Sequence, residues 1–122
     1  MEKSEAILFI LGELGESYGR TFLQKLIFLV DQETKLNFGY IPYMYGPFSR
    51  DLNDAISKMV DDGLVEEKIL HSKKNDCYVY SLTEKGKDEA SKFSFSKDET
   101  TIKKIIREIC QKFKSFTPTQ LL

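Results

Sequence analysis

Met59-Val60-Asp61-Asp62-Gly63-Leu64-Val65 is where the chain changes its hydrophobic period, and that change governs how the rest is read. On the N-terminal side, Leu52, Ala55, Ile56, Met59 and Val60 recur at the spacing of an amphipathic helix, opened by Ser49 as an N-cap and closed by a left-handed Gly63. On the C-terminal side, Leu64, Val65, Ile69 and Leu70 lead into the polar run His71-Ser72-Lys73-Lys74-Asn75-Asp76, and Cys77, Tyr78, Val79, Tyr80 and Leu82 follow it. Two apolar runs rich in β-branched and aromatic residues around a turn-rich hexapeptide predict a β-hairpin.

Upstream, Ile7, Leu8, Leu11 and Leu14 predict a first helix over about residues 4–14, bracketed by Gly15 and Gly19. Thr21 followed by Gln24 has the spacing of a capping box and predicts the start of a second helix. That helix carries Phe22, Leu23, Leu26, Ile27, Phe28, Leu29 and Val30 on nearly every face, so it is expected to be the most buried. Between Asn37 and Phe48 the helical period fails. Gly39, Pro42, Gly46 and Pro47 punctuate Tyr40, Ile41, Tyr43, Met44 and Tyr45, which reads as one short strand and a turn, with Pro42 confining the strand to a sheet edge.

Downstream, Thr83 caps a helix with Ala90 and Phe93 inward, and Ser96 with Glu99 opens another that carries Ile102, Ile105, Ile106, Ile109 and Phe113. The predicted class is α+β, mainly α: a winged helix-turn-helix with an edge strand, a two-stranded wing and additional C-terminal helices. A winged-helix domain is expected over residues 1–95, with a helical extension packed on it over residues 96–122. Thr117, Pro118 and Gln120 announce one more helix that Leu122 cuts short, so the natural chain is expected to be longer by at least one helix.

With 122 residues, 30% of them charged and 41% hydrophobic, the chain fits a single folded domain. The longest apolar run, Leu26 to Val30, falls far short of the roughly 20 residues of a membrane span, and the acidic start does not resemble a signal peptide, so a cytoplasmic protein without membrane contact is expected. Cys77 and Cys110 lack the paired spacing of a zinc site, and His71 is the sole histidine. There is no Gly-rich phosphate loop and no nucleophile elbow. The expectation is a binding protein and not an enzyme, with no catalytic residues, metal or cofactor.

Two stretches carry a resemblance. Tyr80-Ser81-Leu82-Thr83-Glu84-Lys85-Gly86-Lys87 and Met59 through Val65 look like the wing exit and recognition-helix end of winged-helix regulators of the PadR and MarR type. Leu23-Gln24-Lys25-Leu26-Ile27-Phe28-Leu29, leading to Tyr43-Met44-Tyr45-Gly46-Pro47-Phe48-Ser49, resembles the Panacea-type domain of SocA-like antitoxins and the related YwgA-type family of phage-associated proteins. The chain departs from Panacea sequences in lacking tryptophan and in carrying Phe48 after the Gly-Pro pair. The resemblance implies a non-catalytic module acting by protein contact, as an antitoxin does.

Candidate sites follow from both readings. For a protein partner they are Tyr40, Tyr43, Tyr45 and Phe48 on the aromatic strand and Asp61 and Asp62 at the end of the third helix, where carboxylates oppose the helix dipole unless a cation offsets them. For duplex DNA they are Arg50, Asn53, Ser57 and Lys58 on the third helix and His71, Lys73 and Lys74 at the wing tip. The third helix sets Arg50 and Lys58 against Asp51, Asp54, Asp61 and Asp62, a poor match to phosphate. Charge is uneven along the chain: residues 1–62 hold 6 basic and 10 acidic side chains, net −4, and residues 63–122 hold 12 and 9, net +3. Homodimerisation through Ile102, Ile105, Ile106 and Ile109 is the remaining partner reading.

Overall fold

A computed structural model describes residues 1–44, 46–92 and 97–121, and it is a mixed α+β, mainly helical structure. Helix α1 (Lys3–Leu14) leads through a two-residue strand β1 (Ser17–Tyr18) into α2 (Arg20–Thr34). A tight hairpin, β2 (Ile41–Tyr43) and β3 (Gly46–Phe48), separates α2 from α3 (Arg50–Asp61). A longer hairpin, β4 (Val65–Leu70) and β5 (Cys77–Leu82), is followed by α4 (Glu84–Ser91), α5 (Lys97–Phe113) and α6 (Pro118–Leu121).

The core is built on α1 and α2. Ala6, Ile7, Leu8, Ile10 and Leu11 from α1 meet Phe22, Leu23, Leu26, Ile27 and Val30 from α2, and α3 closes one side with Leu52, Ile56 and Met59. Helix α2 packs against β1, β3, α3, α5 and α6, which makes it the central element expected from its all-round hydrophobicity. Helix α5 lies across α1 and α2 and inserts Ile106 and Cys110 into the same core. Burial, with a smaller contribution from Glu13, pushes the Cys110 thiol up to about 12, as befits a packing residue.

Local signals set the α3 boundaries. Ser49 Oγ accepts from Leu52 N at 3.0 Å, and Gly63 at φ +77° lets Gly63 N reach Val60 O and Leu64 N reach Met59 O, the double bond of a Schellman end. Strands β4 and β5 then pair over six positions, from Val65 opposite Leu82 to Leu70 opposite Cys77. Thr83 fastens this sheet to α3 and α4: Oγ1 accepts from Gly86 N at 3.0 Å and donates to Gly63 O at 2.6 Å. Thr117 and Gln120 also form the expected reciprocal cap of α6.

Three expectations are corrected. The stretch before α3 is two strands, not one strand and a turn, and it pairs only with itself, with Pro42 opposite Pro47. The longer sheet has β1 at one edge and β4 at the other, in the order β1-β5-β4, and β1 has no signal in the sequence because a two-residue strand has no period to read. The Thr21–Gln24 capping box is not formed either. Helix α2 begins two residues earlier, with Gly19 in place of Thr21 as an N-cap that supplies no side chain, because Gln24 is drawn inward to a buried partner. Phe93 and the Ser96 cap lie outside the described residues.

Candidate protein-docking surface

The β2–β3 hairpin stands out from the body with its apolar side chains uncovered. Ile41 is 56% exposed, Tyr43 58% and Met44 83%, although all three are large and apolar or aromatic. Phe48, half-buried, holds the base of the hairpin through its ring contact with Tyr43 at 5.4 Å. Tyr45 lies outside the described residues. Tyr40 is not part of the open face: its hydroxyl donates to Gln24 O at 2.7 Å, its ring packs edge-on to Phe28, and burial, aided by the Asp31 charge, raises its pKa well above the usual tyrosine range.

The base is held from beneath by Gln24. Its Nε2 donates to Ser49 O and its Oε1 accepts from Ser49 N, both at 2.8 Å, while Ser49 Oγ donates to Phe38 O at 2.5 Å. One buried amide therefore satisfies the backbone where the hairpin ends and α3 begins.

Two depressions flank the hairpin and share Tyr43, Gly46 and Pro47 as a dividing rib. The outer one, about 390 Å³, is walled by Phe28, Tyr40, Ile41 and Pro42 and contains no charged residue. The inner one, about 150 Å³, lies against the first turns of α2 and is walled by Arg20, Thr21, Gln24, Lys25, Phe48 and Asn53. The surface thus offers an exposed aromatic ridge between two concave, largely apolar seats.

Arg20, which the sequence reading passed over, connects this surface to the sheet. Its guanidinium donates to Tyr80 Oη at 2.8 Å, to Asn53 Oδ1 at 2.6 Å, to Ser57 Oγ at 3.0 Å and to Glu67 Oε2 at 3.3 Å. Tyr80 Oη in turn donates to Glu67 Oε2 at 2.6 Å. Burial opposes the Arg20 charge, but Tyr80 and Glu67 outweigh it and hold its pKa above the ordinary value. Burial and the bond to Glu67 push the Tyr80 phenol up to about 12. This polar joint fixes α2, α3, β4 and β5 relative to one another. Arginine at the first position of a helix, where the dipole disfavours a cation, was the one signal that could have flagged it.

The joint changes the status of the DNA-contact candidates. Asn53 and Ser57 face Arg20 and are already hydrogen-bonded. Lys58 pairs with Asp62 at 2.9 Å, which raises the lysine pKa and offsets a carboxylate at the helix end, and Lys85 donates to Asp62 O at 3.0 Å. His71 lies 3.0 Å from Asp76. Arg50, Lys73 and Lys74 are exposed and make no ion pair among the described residues. Asp61 is exposed beside Asp62, and both stand at the far end of α3 from the hairpin.

On α5, Ile106 is fully buried and Ile102 and Ile109 pack partly against the core, so most of that stripe is occupied within the domain. Ile105 lines a groove with Leu29 and Phe113. Among the described residues no helix is long and apolar enough to cross a membrane, and no three His, Cys, Asp or Glu side chains gather as a metal would require. No family model matches this chain, and no curated protein or solved structure matches it either.

Proposed function

We propose that this chain is a non-catalytic winged-helix module that binds a protein partner, antitoxin-like in the Panacea manner, and that the β2–β3 hairpin is its docking element. The observation that carries the reading is the exposure of Ile41, Tyr43 and Met44 on a hairpin whose base is fastened by Gln24. A rigidly seated apolar ridge loses little entropy on docking, which is what an interface anchor requires.

The winged-helix assignment is supported by the order α1-β1-α2-α3-β4-β5 and by the sheet β1-β5-β4, with β4–β5 as the wing and α3 as the helix that would enter a groove. The hairpin is inserted where a helix-turn-helix has its turn.

Docking would proceed through side chains and not by strand addition. Ile41 and Tyr43 pair with Phe48 and Gly46, and between them Pro42 has no N–H to offer. The outer edge of β2 therefore lacks the donor that an added strand would use.

The second reading, a DNA-binding regulator, is favoured by one observation: Arg50, Lys73 and Lys74 are exposed and form no ion pair among the described residues. Asn53 and Ser57 are held by Arg20, and the exposed α3 face keeps Asp51, Asp54 and Asp61. Titration with duplex DNA at low salt separates the two. The protein-docking reading expects no binding that Lys73→Glu and Lys74→Glu abolish. A DNA affinity that falls by orders of magnitude between about 50 and 200 mM salt overturns it.

A further inference from the structure

The inner depression beside the hairpin differs from the outer one in charge, and this inference rests on the docking reading above. Among the described residues its walls contain two cations, Arg20 and Lys25, and no carboxylate. Arg20 is compensated by Glu67 at 3.3 Å. Lys25 is not: its ammonium donates to the neutral carbonyl of Pro118 at 3.0 Å and forms no ion pair among the described residues. Its stem is half-buried under the hairpin, with Cε 3.2 Å from where a side chain on Gly46 would begin. Lys25 is thus a positive charge held in place by Pro118 O, in a depression it shares with the rings of Tyr43 and Phe48.

A seat of this kind is complementary to a side chain that ends in a carboxylate and reaches it along an apolar wall. The outer depression, with Phe28, Ile41 and Pro42 and no charge, is complementary to an aliphatic or aromatic side chain. We infer that the partner presents a segment carrying an acidic residue beside a large apolar one, which straddle the Tyr43–Gly46–Pro47 rib so that the carboxylate meets Lys25 and the apolar group enters the outer seat. A phosphate group could also meet Lys25, but its second negative charge would be left without a partner because Arg20 is already compensated by Glu67, so the singly charged carboxylate is the better match.

Gly46 is part of the device. At φ +116° it holds a backbone conformation that residues with side chains rarely adopt, and its bare Cα lets the Lys25 stem lie against the hairpin. A bulkier residue there would displace Lys25 from the seat.

The experiment is selection of short random displayed peptides on the immobilised full chain, with binders sorted by whether Met44→Asp abolishes their binding. Hairpin-dependent binders are expected to be enriched in Asp or Glu next to Phe, Leu, Ile or Met. Lys25→Met is expected to weaken them by roughly tenfold or more, the value of a hydrogen bond to a charged group, while Lys25→Arg retains them. Lys25→Glu is expected to redirect the selection toward Lys or Arg. Circular dichroism and thermal melting of each variant report whether loss of the Pro118 contact has disturbed the fold, and the Arg variant carries the conclusion if it has. Hairpin-dependent binders with no acidic preference, unaffected by Lys25→Met, overturn the carboxylate inference and leave the docking reading standing. Binders enriched in runs of Asp or Glu with no large apolar residue adjacent to them overturn it as well. If no hairpin-dependent peptide is recovered, both fail.

Discussion

Gln24 and Ser49, 25 positions apart, are joined by two hydrogen bonds of 2.8 Å that close a ring between one side-chain amide and one backbone unit. Ser49 is fully buried and Gln24 nearly so, hence neither backbone group has water as an alternative partner. Gln24→Ala leaves the buried Ser49 N–H unpaired, while Ser49 O keeps the bond from Asn53 N at 3.1 Å, and is expected to cost about 2 kcal/mol in denaturant unfolding. Gln24→Glu keeps the acceptor for Ser49 N but sets a buried carboxylate against Ser49 O, and it is expected to cost at least as much as Gln24→Ala. A loss below about 1 kcal/mol for Gln24→Ala would mean that the hairpin base is held by something else.

Gly86 approaches the chain at the corner after α3 so closely that an added Cβ would stand 2.0 Å from Leu64 O. Backbone cannot yield as a flexible side-chain end does, so Gly86→Ala is expected to destabilise by about 3 kcal/mol. Gly12, exposed on α1 with its nearest neighbour the Leu82 side chain at 3.4 Å, provides the contrast. Gly12→Ala is expected to be neutral or to stabilise by up to about 1 kcal/mol through helix propensity. Thermal melts of the two variants check the pair.

The buried phenols and thiol set an alkaline limit. Tyr80, with its phenol raised from 10.0 to about 12, is more easily protonated when folded than when unfolded. Its contribution is complete below pH 10 and is lost as pH rises toward 12. Cys110 acts in the same direction from 9.0 to about 12, and Tyr40 acts likewise with a still higher folded value. Stability measured by urea unfolding should therefore decline from about pH 9 upward, and Tyr80→Phe should flatten the part of the decline above pH 10. A wild-type profile that stays level to pH 12 would contradict the burial of these groups.

Elements whose determinants are local were legible. Ser49, the Leu52–Ile56–Met59 stripe and Gly63 lie within one segment, so α3 is legible from end to end, and the apolar β-branched and aromatic runs on either side of residues 71–76 predict β4 and β5. The misreadings share a physical cause. Thr21 and Gln24 have the spacing of a cap, but a glutamine that can satisfy two buried backbone groups gains more there than at an exposed helix end. Pro42 was read correctly as an edge residue, yet the partner of its strand was Gly46–Phe48, too short and too rich in glycine and proline to register as a strand.

Half of the candidate site was legible for similar reasons. Residue type marks Tyr43 and Phe48, whereas nothing in the sequence separates Met44, the most exposed large apolar side chain among the described residues, from the run around it. Arg20, Glu67 and Tyr80 are 47 and 13 residues apart in sequence and meet only when α2 packs against the sheet. No local pattern encodes that meeting. Asn53 and Ser57 were chosen for an exposed helix face, and the same meeting turned them inward to Arg20.

The central claim is that a protein partner docks on the β2–β3 hairpin. The most direct measurement is amide hydrogen exchange of the chain free and bound to a captured partner. The account predicts new protection at residues 40–48 and along the first turns of α2, with residues 71–76 of the wing unchanged. Protection confined to the wing and to the exposed face of α3, with the hairpin amides exchanging as in the free chain, would contradict it.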